Sequence, residues 1–425
     1  MRMTRMMLIL LCILAMNMAG CAGGAASDPM PRGSEGSHAR TLQPETSAPD
    51  PNAPPGGQVK MANDPSKDAS DSLQQEQLRS EQNQEPKPLS RVAPPKKLRD
   101  DIKGIYVSPY ALQGKKWERI KTLLKETDLN ALVIDVKSDH GRITYPTNIE
   151  TAKDIAADAA AKIGDLPSLL TPLKASNTYL IARIVTFKDP YLAAKKPEWA
   201  MKKKDGTVWR DKRGVSWIDP YNEEVWEYNI RIAEEAIAAG FDEVQFDYVR
   251  FPEQVGKVDR EVVFRNPNGE TKDQIIQRFL RTATQRVHQA GGFTSADVFG
   301  LTTTAKDGMG IGQKWELLAQ EVDAISPMVY PSHYAKGSYG VRYPDLQPYR
   351  IVKEAIADAK RRNEALQRNK EQAAALRPWL QDFTAKWVKP HQTYNRAEIQ
   401  EQIRALEEQG VHQYLLWNPS SSYSL

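Results

Sequence analysis

Runs of β-branched and aromatic residues alternate along the chain with segments whose apolar residues recur at helical spacing, and this alternation sets the expected fold. The strand-like runs are 104–110, 131–139, 179–187, 243–251, 292–300, 323–330, 377–383 and 414–420. Helical patterns lie between them at 116–127, 165–176, 223–239, 272–290, 315–321, 349–375 and 396–408. Eight strands alternating with helices predict an α/β chain closed into a (β/α)8 TIM barrel over residues 101–425. A doubly wound open sheet is the alternative. It is disfavoured because Ser108-Pro109-Tyr110 follows the first strand where a glycine-rich phosphate loop would stand.

The fourth run, EVQFDYVRFPE, is bounded by Gly240 and Pro252 and carries Asp247 among apolar neighbours. A carboxylate in such a strand costs several kcal/mol unless it is partnered, so it needs a hydrogen-bonding network or a chemical task. Polar residues recur at the other strand ends. Tyr106 and Tyr110 stand on the first, Asp135, Lys137 and Asp139 on the second, Arg183 and Thr186 on the third, and Arg250 with Asp247 on the fourth. Asp297, Tyr330, Gln381 with Asp382, and Trp417 with Asn418 follow on the fifth to eighth. In a barrel these ends meet on one face, where such folds build their sites.

That convergence suits glycoside hydrolysis, which needs one carboxyl group as acid and a second as nucleophile or base. Asp247 and Asp297, on adjacent strands, are the expected pair, with Asp382 stabilising positive charge on the sugar. Tyr106, Asp135, Lys137, Arg183, Tyr248, Arg250, Tyr330 and Trp417 are the expected substrate contacts. Burial beside apolar groups such as Phe299 is the expected means of keeping the acid protonated. The long third connection, 188–221, holds Trp199, Trp209 and Trp217 and a turn at Asp205-Gly206 that predicts a hairpin over 201–213. Trp209 is the indole expected to stack on sugar rings, the plainer alternative being loop packing.

The segments KGIYVSPY, ALVIDVKSDHG, ARIVTFKDP, WIDPYNEEVWEYN, DEVQFDYVRFP, SADVFG and SPMVYPSHY resemble the bacterial putative glycosyl hydrolase domain family, over about residues 103–418. That resemblance implies a barrel distantly related to the alpha-amylase and alpha-galactosidase groups. The alpha-amylase pattern implies a nucleophilic Asp247, an acid at Asp297 and a stabilising Asp382. The chain departs from it in having Asp where a Glu is usual on strand five, and Gln245 where an Arg precedes the nucleophile. Glu253 is the reserve acid, since the alpha-galactosidase position after strand six offers Tyr330 and His333 but no carboxylate.

The N-terminus changes the picture of where this barrel works. Arg2 and Arg5 precede an apolar run over 6–16, and Ala19-Gly20-Cys21 follows at cleavage distance, so residues 1–20 resemble a lipoprotein signal with Cys21 lipidated. Residues 21–100 are rich in Gly, Pro, Ser, Gln and charge and poor in large apolar side chains, which predicts a disordered tether reaching roughly 50 Å. The expectation is an exported, membrane-anchored monomer acting on a polysaccharide. Cys12 and Cys21 are the two cysteines, which excludes a disulfide framework in the mature chain.

No cofactor or metal is expected. The six histidines are scattered, with Asp135, Asp139 and His140 the nearest approach to a ligand set. A net charge of +4 and basic clusters without interleaved aromatics, such as Lys360-Arg361-Arg362, argue against a nucleic-acid partner. A barrel that binds polysaccharide without turnover remains the alternative function.

Overall fold

The computed structural model describes residues 93–94 and 96–425, and shows the closed barrel. The predicted signal, Cys21 and most of the predicted tether lie outside the described residues. The barrel strands are β1 (Lys103–Val107), β2 (Ala131–Lys137), β3 (Tyr179–Val185), β4 (Glu243–Asp247), β5 (Phe293–Phe299), β6 (Ala324–Met328), β7 (Trp379–Gln381) and β8 (Tyr414–Trp417). Every neighbouring pair is parallel, and the ring closes where Trp379 of β7 pairs with Met328 of β6.

The flanking helices are α1 (Gly114–Glu126), α2 (Leu166–Ala175), α3 (Glu223–Ala239), α4 (Lys272–Gln289), α5 (Trp315–Ala319), α6 (Pro348–Arg368) and α7 (Arg396–Glu407). Their ends follow local chemistry. Thr271 with Gln274 and Asn395 with Glu398 close capping boxes that satisfy the first amides of α4 and α7. Gly240 stops α3 at φ 122°, a conformation glycine adopts without steric cost.

Alternate strand residues face two cores. Leu132, Ile134, Leu180, Ala182, Val244, Phe246, Ala296 and Val298 pack outward against the helices, while Ile102, Val133, Ile181, Trp379 and Leu415 fill the interior. The interior also has a charged floor, where Arg377 donates to both oxygens of Glu243 at 2.8 and 2.9 Å and Tyr179 adds a hydrogen bond at 3.0 Å. Both ions are fully buried, so each depends on the other to avoid an unpaired charge.

Two local features correct the sequence reading. In β2 the register slips between Asp135 and Lys137, so that Asp135 pairs with Arg183 but Lys137 with Ile184. A one-residue bulge moves the next side chain to the other face. Lys137 is therefore no substrate contact: it is fully buried, 2.7 Å from Asp189 and bonded at 2.9 Å to Asn229 of α3.

The hairpin over 201–213 is present, with Trp209 N–H bonding Met201 O at 2.8 Å and Gly206 at φ 82° in its turn. Its indole is not a sugar platform. Trp209 is completely buried and donates to Glu261 at 3.0 Å, and Trp199 and Trp217 are buried too, so the loop tryptophans pack the loop.

Candidate active site

Arg183 projects from β3 into the mouth of the barrel and gathers three carboxylates. Its Nη1 donates to Asp135 at 2.6 Å, its Nε and Nη2 to one oxygen of Asp247 at 3.0 and 2.5 Å, and its Nη2 to Asp139 at 3.4 Å. Burial would lower its pKa, but the charges of Asp135, Asp247 and Asp139 outweigh that and hold the guanidinium well above the ordinary arginine range. Arg183 is also the register partner of Gln245. The arginine that Gln245 lacks on β4 is thus supplied from the adjacent strand.

Asp135 completes that side of the mouth. Tyr106 donates to its second oxygen at 2.7 Å, and burial, partly offset by Arg183, pushes its pKa up. The Trp417 ring lies 4.3 Å from that of Tyr106 and 5.3 Å from the Arg183 guanidinium, a cation–π arrangement.

Asp247 ends β4 because the next residue turns sharply: Tyr248 sits at φ 49°, a strained value for an aromatic residue, and its N–H donates to the other Asp247 oxygen at 2.6 Å. The last paired residues of β4 and β5 are Phe246 and Ala296, so Asp247 and Asp297 follow at the same level on neighbouring strands. Asp297 behaves oppositely to an ion-paired acid. Burial first, and then the charge of Asp247, push its pKa well above the carboxylate range, while Arg183 and a 2.7 Å hydrogen bond from Trp379 Nε1 oppose the shift. One carboxyl of the pair is salt-bridged, and the environment of the other favours its protonated form.

The remaining expected residues divide. Tyr330 joins the site, since it packs in the interior cluster with Trp379, whose Nε1 donates to Asp297. Tyr248 accepts from Lys188 at 3.3 Å, and Arg250 lies over the rings of Tyr248 and Phe299 at 4.8 and 4.5 Å. Phe299 thus packs against Arg250, while the described bond to the acid comes from Trp379. Glu253, the reserve acid, is corrected. Burial favours its protonated form, but Arg250 at 3.1 Å outweighs this and holds its pKa below the usual value, so it has no proton to give at neutral pH.

Asp382 is buried beside residues 418–424, where one oxygen accepts from Ser424 N at 3.1 Å and the other has no hydrogen-bond partner among the described residues. Its described contacts are to that segment and not to Arg183, Asp247 or Asp297. Burial raises its pKa to about 7. A raised acid pKa contributes stability that is full below about pH 4 and disappears as pH climbs through 7. Asp382→Asn should flatten the fall in melting temperature between pH 5 and 8, a difference thermal unfolding at the two pH values detects.

Sequence reasoning did not single out Trp387, which lies near-parallel to Phe383 at 6.1 Å on the loop after β7. Only its indole in a post-strand loop signalled it. Among the described residues, no group of three or more His, Cys, Asp or Glu is placed to hold a metal ion.

The fold and site define a (β/α)8 barrel with a carboxyl pair at the C-terminal ends of its strands. This chain belongs to the putative glycosyl hydrolase domain family, whose pattern matches residues 104–423. A comparison with curated proteins finds no match. Among solved structures, a hypothetical protein from Ruminiclostridium thermocellum is 35% identical, covering 49% of this chain and 98% of its own, with a TM-score of 0.41. The glycoside hydrolase domain of PgaB (BpsB) from Bordetella bronchiseptica is 13% identical over 75% of this chain and 94% of its own, with a TM-score of 0.51. The alpha-galactosidase TtGalA from Thermus thermophilus is 13% identical over 78% and 60%, with a TM-score of 0.44. At such identity the PgaB likeness speaks to the fold alone.

Proposed function

We propose that this chain is an exported, membrane-tethered glycoside hydrolase that cleaves or transfers glycosidic bonds in a polysaccharide. Asp297 is its general acid and Asp247 its nucleophile or base. The observation that carries this reading is the placement of the two acids: Asp247 is ion-paired to Arg183 at 2.5 Å, while Asp297 lies at the same level on the next strand, where burial and the Asp247 charge push its pKa well above the carboxylate range. Asp297 delivers its proton to the leaving oxygen, and Asp247 attacks the sugar or activates water on the opposite side. Tyr106, Asp135 and Trp417 line the side of the mouth next to Arg183 and are assigned to substrate.

Release of reducing ends from a panel of bacterial polysaccharides tests this. The expected outcome is release by the wild type, none by Asp247→Asn and at most traces by Asp297→Asn; release by both variants at wild-type rate overturns it.

A second reading has one observation in its favour. Two N–H groups of Arg183 on a single Asp247 oxygen lower the nucleophilicity of that carboxylate, as suits a barrel that binds polysaccharide without turnover. Binding without product in the same panel selects it.

Export and tethering rest on Arg2, Arg5, the 6–16 apolar run and Ala19-Gly20-Cys21. Radiolabelled palmitate should enter the wild-type protein in bacteria and be lost in Cys21→Ser; labelling that survives the substitution contradicts the anchor.

A further inference from the structure

The barrel mouth is divided between charge and rings. β2 to β5 contribute Asp135, Arg183, Asp247 and Asp297, whereas the loops after β6 and β7 contribute Tyr330, His333, Phe383 and Trp387. Phe383 and Trp387 lie at 15° to one another, and His333 stands edge-on to both at 6.0 and 6.3 Å. Tyr330 meets His333 and Phe383 edge-on at 5.3 and 5.6 Å. The supporting rings fix the platform, because edge-to-face contacts restrain tilting.

The platform is partly exposed, and its imidazole is favoured in the neutral form. Phe383, Trp387 and His333 keep partial exposure, unlike the three buried tryptophans of the third connection. Burial lowers the His333 pKa to about 4, and Ser332 Oγ lies 2.8 Å from its Nδ1. Tyr330 links the platform to the acids, being in ring contact with His333 and Phe383 and sharing the interior cluster with Trp379, which donates to Asp297 at 2.7 Å. Neutral rings beside a carboxyl site fit the apolar C–H face of a sugar better than an ionic group.

We propose that Phe383, Trp387 and His333 form a subsite for a further pyranose ring, beyond the two whose glycosidic bond lies at Asp247 and Asp297. This rests on the reading that the barrel takes a polysaccharide, and it makes the ligand an oligomer rather than a single sugar. The platform adds affinity only when the chain is long enough to reach it.

Calorimetric titration of the Asp247→Asn protein, with the disaccharides and hexasaccharides of cellulose, chitin and starch as probes, tests the subsite apart from turnover. In at least one series the hexasaccharide should bind about tenfold or more tightly than its disaccharide. Trp387→Ala should remove that gain and leave disaccharide affinity unchanged, and Trp387→Phe should recover part of it. A gain that persists in Trp387→Ala, or a hexasaccharide that never binds better than its disaccharide, overturns the subsite. Wild-type turnover by Asp247→Asn would overturn the catalytic reading instead, leaving these affinities to judge the platform.

Discussion

Asp297→Asn is expected to lower kcat about 10²–10⁴-fold with the fold intact, the range over which a positioned acid accelerates such a step. The amide cannot protonate the leaving oxygen, yet it still fills the space and can face Trp379 Nε1. The pH profile carries the sign. A carboxyl that must donate a proton works below its pKa, so wild-type activity should fall as pH rises through the raised value of Asp297. The residual activity of Asp297→Asn should lack that alkaline limb. An aryl glycoside whose leaving group needs no protonation should narrow the gap between the two proteins. A variant that keeps the limb, or loses equally on both substrates, would assign the proton to another group.

The second large effect concerns stability. Arg183→Met should cost about 3–5 kcal/mol of unfolding free energy at neutral pH, the usual consequence of removing one partner from a buried ionic cluster. Asp135 and Asp247 are 3% and 7% exposed, so water cannot replace the guanidinium they lose. The cost should shrink in acid, where the orphaned carboxyls take up protons, and in the Arg183→Met/Asp247→Asn double variant, which carries one fewer buried charge. Denaturant unfolding at pH 5 and pH 8 measures both; a loss independent of pH would mean that Arg183 matters for packing rather than charge.

The strands were readable because parallel barrel strands are apolar on both faces, so runs such as Leu132 to Val136 announce themselves without alternation. The meeting of Asp247, Asp297 and Arg183 also followed from strand order once eight strands were counted. What the sequence hid was register and reach. Lys137 was expected among the substrate contacts with Asp135, and a single bulge sent it to Asp189. The arginine facing Asp247 sits not two residues before it but across the ladder from Gln245, a relation only pairing reveals.

The indoles were misread for a related reason. Trp209 and Trp387 look alike in sequence, and what separates them is the hydrogen bond to Glu261 and the complete burial of Trp209. The raised pKa of Asp297 comes from burial and then from the charge of Asp247 on the neighbouring strand, set against a hydrogen bond from Trp379, 82 residues away. No local pattern encodes either.

The most direct measurement of the central claim is the mass spectrum of oligosaccharides released from isolated bacterial envelope polysaccharide by wild-type protein, Asp247→Asn and Asp297→Asn. The account predicts fragments from the wild type, none from Asp247→Asn, and at most traces from Asp297→Asn. Equal fragments from all three, or none from any while the polysaccharide remains bound, would contradict cleavage by this carboxyl pair.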